Sequence, residues 1–91
     1  MTFVMTYSIP AQSWGKAVER FLGTGGPAPA GVKLVGRWHA AAGRHGFLLL
    51  EGDDANAVYR FATEWSDVCD LAVTPVLTDE QAAAVLKSMR K

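Results

Sequence analysis

Arg37, His39 and Glu51 are the residues of this sequence whose types and spacing are best suited to chemistry. An imidazole changes its protonation state at about pH 6.5 and can serve as a general base. A carboxylate can orient that base, and a guanidinium can hold an anionic oxygen through two hydrogen bonds. We therefore take these three as candidate catalytic residues, for proton abstraction or for cofactor-independent oxidation of an aromatic or keto substrate.

The same three residues have a second interpretation that involves no catalysis. Side chains two residues apart on a strand point to the same face, so Arg37 and His39 share a face, which Glu51 on the next strand could also reach. Ion-pair networks between subunits gather the same residue types as catalytic sites do. The sequence favours such a network, pinning a dimer, over catalysis.

A second group of residues could bind an apolar ligand. Tyr7, Trp38 and Trp65 are large aromatic residues, and tryptophan is rarely buried completely because its N–H needs a partner. We predict that these three line a cleft between the helices and the sheet, where an apolar ligand commonly binds. Trp14 and Phe61 are predicted to pack in the core instead.

Metal, nucleic-acid and membrane functions have little support in the sequence. His39 and His45 are the two histidines, too few for an ordinary metal site even with Asp53 or Asp54, so we predict neither a metal nor a cofactor. The single cysteine, Cys69, is expected to be a small buried apolar residue. Nine basic and nine acidic side chains cancel, which argues against nucleic acid as a partner. With no signal peptide or membrane-spanning segment in the pattern, we predict a cytoplasmic protein.

Hydrophobic periodicity predicts seven elements in one domain over residues 1–91. Apolar residues recur at strand or helix spacing, and glycine, proline and capping residues separate the segments. The predicted elements are strand 3–8, helix 11–22 ending at Gly23, strand 32–39, strand 46–52, helix 55–65, strand 68–77 and a helix that opens with a capping box at Thr78. The apolar run in strand 46–52 predicts a central position, and Pro75 predicts an edge position or an irregularity for strand 68–77.

This order of elements is that of the ferredoxin-like βαββαβ fold, an α+β architecture, with an added C-terminal helix. Its two helices cover one face of an antiparallel sheet and leave the other face open. Strict alternation along strand 32–39 places Trp38 on the helix side, and Arg37 and His39 on the open face. Because that face is otherwise mostly apolar, we predict a homodimer in which two open faces pack together as a dimeric α/β barrel.

Several segments of the chain carry a resemblance to a known family. A Gly-Gly-Pro connector leads into an Arg-Trp-His strand end within residues 21–39, and Glu-Trp-Ser-Asp at 64–67 and Val-Thr-Pro-Val at 73–76 follow. In these segments the chain resembles an uncharacterised family of small bacterial proteins, domain of unknown function 3303, over nearly its whole length. The resemblance implies a ferredoxin-like fold related in shape to dimeric α/β-barrel proteins, and it implies no activity, cofactor or catalytic residue.

Three functions are compatible with these features. The first is a small dimeric protein that binds an apolar or aromatic small molecule without catalysis. The second is a cofactor-independent oxygenase or isomerase of the dimeric α/β-barrel type, with His39 as base and Arg37 as anion clamp. The third is a purely structural interaction domain. The sequence favours the first function, because it contains aromatic residues that could form a pocket and no unmistakable catalytic pair.

Overall fold

Four strands and three helices make up the computed structural model, which describes residues 1–90. The strands are β1 (Thr2–Ser8), β2 (Lys33–His39), β3 (His45–Glu51) and β4 (Asp70–Val76). A 3-10 turn (Ala11–Ser13) leads into helix α1 (Trp14–Thr24), and helices α2 (Ala55–Trp65) and α3 (Asp79–Ser88) follow β3 and β4. All seven predicted elements are present, with ends that differ by three residues or fewer.

The strands form one antiparallel sheet in the order β2-β3-β1-β4. This topology is consistent with the ferredoxin-like fold. β3 lies inside the sheet, as its apolar run predicted, and β4 lies at the edge, as Pro75 predicted. At an edge, the missing N–H of proline leaves no inner ladder position unpaired.

Helix α1 ends two residues later than the sequence suggested. The predicted stop at Gly23 was wrong: Gly23 continues the helix, and Gly25 adopts the left-handed conformation at φ 75° and donates its N–H to the Phe21 carbonyl. Several glycines follow the apolar stripe of α1, and residue type alone does not show which of them takes the left-handed position.

The main core lies between the sheet and α2. Its buried side chains come from β1, β3 and α2, and are Phe3, Met5, Leu48, Leu50, Val58 and Phe61. A smaller cluster of Ala17, Val68 and Cys69 lies beneath α1. Full burial of one large apolar side chain contributes about 1.5–3 kcal/mol to folding, so these two clusters hold the helices on one face of the sheet.

A β-bulge in β2 reverses the predicted orientation of its second half. Leu34 pairs with Leu50, but the next pair is Gly36 with Leu49, so that one residue of β2 is extra. The extra residue shifts the alternation by one. Arg37 and His39 therefore face the helices.

The prediction that Trp38 lies on the helix side was consequently wrong, as was the prediction that Arg37 and His39 lie on the open face. Trp38 stacks on Phe47 across the open face, with ring centroids 5.1 Å apart and an angle of 21° between the planes. Gly36 leaves room for the Trp38 indole, which lies where a Cβ on residue 36 would be.

An ion pair joins α1 to the turn after α2. Arg20 donates two hydrogen bonds to the Asp67 carboxylate, at 2.9 and 2.6 Å, and a third to the Glu64 carbonyl at 3.0 Å. Lys16 approaches the same carboxylate to 3.3 Å. The hydrogen bond from Arg20, with a further contribution from Lys16, holds the pKa of Asp67 well below its usual range.

Stability should therefore fall in acid through Asp67. A carboxyl whose pKa is lower in the folded state stabilises the fold fully above its unfolded pKa of about 3.9 and loses that contribution as the pH falls toward its folded pKa. We expect Asp67→Asn to lower the urea midpoint at pH 7, with a deficit that shrinks steadily below about pH 4. Glu19→Gln, which removes a carboxylate from the exposed surface of α1, is the control. A deficit for Asp67→Asn that stays constant from pH 7 to about pH 2.5 would contradict this assignment.

Candidate functional site

A cavity of about 370 Å³ lies between α1 and the sheet, at the end where β1 and the β2–β3 hairpin meet. This volume falls in the lower part of the range of small-molecule sites. The walls are mostly apolar, and a loop of small residues, 40–43, lies along its rim. The apolar and aromatic side chains of the wall are Met5, Ile9, Trp14, Ala17, Val18, Phe21, Leu22, Leu48, Phe61, Trp65 and Leu71.

A hydrogen-bonded pair forms the main polar feature of the wall. Tyr7 and His39 both pair with Gly46, one from each neighbouring strand. Because Gly46 has no side chain, the Tyr7 ring can cross above it, and its hydroxyl lies 2.6 Å from Nδ1 of His39. The other face of this arrangement is closed by Phe21, whose ring meets the His39 ring edge-on at 5.6 Å between centroids.

Electrostatics favour a neutral phenol in this pair. Burial raises the pKa of Tyr7, and the nearby charge of Arg37 acts in the opposite direction to a smaller extent. The phenol therefore keeps its proton near neutral pH. When it donates that proton to Nδ1, the neutral imidazole carries its own hydrogen on Nε2, the nitrogen left for another partner.

Arg37 holds the end of helix α1 as well as lining the cavity. Its guanidinium donates hydrogen bonds to the carbonyls of Gly25 and Gly26 and lies 5.2 Å above the Phe21 ring. A cation at this place is favourable because a helix carries partial negative charge at its C-terminus. Burial lowers the pKa of Arg37 from its ordinary value. Two of the five N–H donors of the guanidinium are thus occupied, and three remain free to bind a ligand in the cavity.

The candidate catalytic trio does not assemble. Arg37 and His39 face the helices, whereas Glu51 lies on the open side, opposite Lys33 at the far end of the β2–β3 pair. His39 pairs with Gly46, five positions along β3 from Glu51, or about 17 Å at the rise of a strand. The interpretation that Glu51 orients His39 was wrong because of the bulge and the register, and Tyr7 occupies that role instead.

The predicted ligand-binding residues divide between two surfaces. Tyr7 and Trp65 lie in the cavity wall. Trp38, in contrast, lies on the open face and is 48% exposed, because the bulge in β2 reverses the direction of its side chain. The prediction that Trp14 packs in the core was wrong, because its side chain is 45% exposed at the edge of the cavity. The same prediction for Phe61 is confirmed, since Phe61 is buried.

Sequence reasoning missed the hairpin loop as a wall of the site. Gly43, at φ 93°, and Arg44, at φ 54°, turn this loop back toward Ile9 of the cavity wall. Arg44 makes two hydrogen bonds with Ile9: its carbonyl accepts at 2.8 Å, and its Nε donates at 3.1 Å. For the contact between Tyr7 and His39, the available signal in the sequence was Gly46, because a glycine inside an apolar strand often marks a close approach by another group.

Cys69 is buried, as predicted, and burial raises the pKa of its thiol, which suppresses the thiolate. Within residues 1–90, the structure brings together no group of three histidine, cysteine or acidic side chains that could hold a metal ion. In the same part of the chain, no helix combines the length and the apolar character needed to cross a membrane.

A second surface is the open face of the sheet, on the side away from α1 and α2. We define it by alternate residues of the four strands: its middle holds Val4, Thr6, Trp38, Phe47, Leu49, Ala72, Thr74 and Val76, and its two ends carry charged or polar residues, namely Thr2, Ser8, Lys33, His45, Glu51 and Asp70. The bulge makes this face more apolar than predicted, since it removes Arg37 and His39 and adds Trp38. Trp38 and Phe47 are both nearly half exposed.

Helix α3 presents further apolar residues to solvent. A capping box at Thr78 and Gln81 begins the helix, as the sequence predicted. None of its residues is buried, and Val85 and Leu86, together with Met89 at its C-cap, are each more than half exposed. A helix of ten residues is marginal by itself in water, so α3 needs a surface to pack on.

Comparison with known proteins places the chain in a family. The family model described as "Domain of unknown function (DUF3303)" matches residues 1–90, and the chain belongs to this family. No curated protein matches the chain. Among solved structures, one similar to it is described as a crystal structure analysis of SCO4226 from Streptomyces coelicolor A3(2). The identity is 18%, the match covers 85% of this chain and 98% of that chain, and the TM-score is 0.48.

Proposed function

We propose that this member of a family of unknown function binds one apolar, preferentially aromatic, small molecule in the cavity between α1 and the sheet. The observation that carries the proposal is the cavity itself: about 370 Å³ of apolar-walled space with a single hydrogen-bonded pair, Tyr7 and His39, in its wall. Ligand sites of this kind combine apolar walls with a few oriented polar groups.

The wall favours aromatic ligands over flexible aliphatic ones. Trp14, Phe21 and Trp65 lie around the cavity, and aromatic rings gain extra attraction from edge-on or offset contacts beyond the area they bury. Nε2 of His39 and the Tyr7 hydroxyl supply polar contacts at one position. A flat ring system with one polar substituent therefore matches the cavity best.

The test uses N-phenyl-1-naphthylamine, a neutral dye whose fluorescence rises in apolar surroundings. Titrating the protein into the dye should give a dissociation constant of about 10–200 µM, from about 0.3–0.4 kcal/mol for each heavy atom. We expect Val18→Trp to weaken binding at least about tenfold because it places a large side chain in the cavity wall. Glu19→Trp is the matched control, since it puts the same side chain on an exposed neighbouring position.

Equal binding to the wild type and to Val18→Trp would show that the dye occupies another surface. Absence of binding to the folded wild type would remove the proposal and favour a structural interaction domain. Circular dichroism and thermal melts of both tryptophan variants establish that they fold.

The proposal includes a homodimer formed through the open face. The occupant is a second copy of the chain, because a mostly apolar face, with Phe47 near its centre and Trp38 stacked beside it on the edge strand β2, is complementary to itself across a two-fold axis. Four strands of seven residues give a face of about 19 by 23 Å, or roughly 440 Å², less than the 800 Å² that one partner of a stable pair commonly buries. The exposed apolar side of α3 can supply the difference by packing on the partner.

A second candidate function is a proton-transfer enzyme, either an isomerase or a cofactor-independent oxygenase of the dimeric α/β-barrel type. The observation that favours it is the hydrogen bond between Tyr7 and Nδ1 of His39, which fixes the ring and leaves Nε2 to exchange a proton with a substrate. Turnover of a bound compound that disappears in His39→Ala while binding persists would support this function. Binding without turnover in the wild type would support the first.

A further inference from the structure

We propose that the ligand of the cavity is an apolar molecule with one anionic group, held at the hairpin end by Arg44; this inference rests on the proposed function. It concerns the charge of the ligand, which the apolar walls alone do not specify.

The charges around the cavity are all of one sign. Two arginines line it, Arg37 and Arg44, and no aspartate or glutamate does. Over the whole chain, in contrast, acidic and basic residues balance, with nine of each. A cleft lined by charges of one sign attracts ligands of the opposite sign, and its low-dielectric walls strengthen that attraction.

Backbone carbonyls hold both of these guanidinium groups in place. Arg44 donates its Nε–H to the Ile9 carbonyl at 3.1 Å, and Arg37 donates to the carbonyls of Gly25 and Gly26. Neither residue is paired with a carboxylate in these contacts. Both guanidinium groups keep further N–H donors, and a planar oxyanion such as a carboxylate or sulfonate can accept two of them at once.

The backbone of Arg44 supplies an independent observation. Arg44 is the one non-glycine residue with positive φ among residues 1–90, at 54°, and it follows Gly43 in the tight hairpin. Glycine or asparagine would adopt that conformation with less strain. An arginine held in a strained backbone position next to a ligand cavity is the pattern expected when the side chain is needed for function.

The experiment compares two dyes that differ by one charge. 8-Anilinonaphthalene-1-sulfonate has the ring system of N-phenyl-1-naphthylamine and adds a sulfonate. We expect the wild type to bind the sulfonate at least about fivefold more tightly than the neutral dye, and we expect Arg44→Gly to bring the ratio of the two affinities close to one. In Arg44→Gly the relief of the positive φ offsets the loss of the hydrogen bond from Nε to Ile9, and circular dichroism checks that the variant folds.

Two controls separate this inference from the proposed function. Arg60→Gln removes the same charge from the exposed surface of α2 and should leave both dyes unaffected. Val18→Trp should weaken both dyes together. Equal affinity of the wild type for the two dyes, or a preference that survives in Arg44→Gly, would overturn the anionic ligand and leave the apolar site standing. Failure of both dyes to bind would overturn the proposed function itself.

Discussion

Replacing Gly46 by alanine should lower the free energy of unfolding by about 2–3 kcal/mol, near the upper end of the usual cost of overpacking a well-packed site. A Cβ on residue 46 would lie well inside van der Waals contact of the Trp38 carbonyl oxygen and 2.6 Å from the Tyr7 hydroxyl. The first of these is a backbone atom of the adjacent strand, which can move only if the β2–β3 pairing opens.

The substitution should also break the bridge between Tyr7 and His39, since the Tyr7 ring crosses directly above Gly46. Urea denaturation measures the loss of stability, and Gly15→Ala is the control. A Cβ at Gly15 in α1 would meet nothing within 4 Å, and alanine is the better helix former, so that variant should be as stable as the wild type or more stable. A Gly46→Ala protein as stable as the wild type would contradict the arrangement of the site.

Replacing Phe47 by glutamate should convert the proposed dimer to monomers, weakening association at least about 100-fold. Phe47 lies on β3, near the centre of the open face, and stacks on Trp38. In a two-fold interface one substitution introduces two like charges, each of which must lose its hydration on association. The fold itself should persist, because Phe47 is 45% exposed in the single chain.

Sedimentation equilibrium at micromolar concentrations measures this effect. Tyr59→Glu is the matched control: it places the same charge at an aromatic residue that is 74% exposed on α2, away from the open face, and it should leave the dimer intact. A wild type that sediments as a monomer, or a Phe47→Glu protein that sediments as a dimer, would show that the open face is not the interface.

Most of the fold could be predicted from the sequence because its elements are separated by strong local signals. The capping box at Thr78 sets the start of α3, and Pro75 identifies an edge strand. These signals act within a few residues, so the pattern contains them. The end of α1 was less predictable, since Gly23 and Gly25 are chemically identical and only the backbone distinguishes them.

The site could be predicted only in part, because one extra residue in β2 changes which side chains meet. Alternation is a rule with period two, and a bulge at residues 34–36 exchanges the faces of everything that follows. Arg37 and His39 were correctly recognised as neighbours, yet they were assigned to the wrong side. Their partner in the site, Tyr7, is a long-range neighbour whose contact depends on a glycine in the strand between them.

The most direct test of the binding site is a nuclear Overhauser measurement on the protein with a soluble aromatic ligand such as 1-naphthol. Methyl groups report separately on the two sides of the sheet, because Val18 and Leu48 line the cavity, whereas Leu49 and Val76 lie on the open face. We expect contacts from the naphthol protons to the methyls of Val18 and Leu48. Contacts to Leu49 and Val76 instead, with none to Val18 or Leu48, would contradict the assignment of the cavity as the binding site.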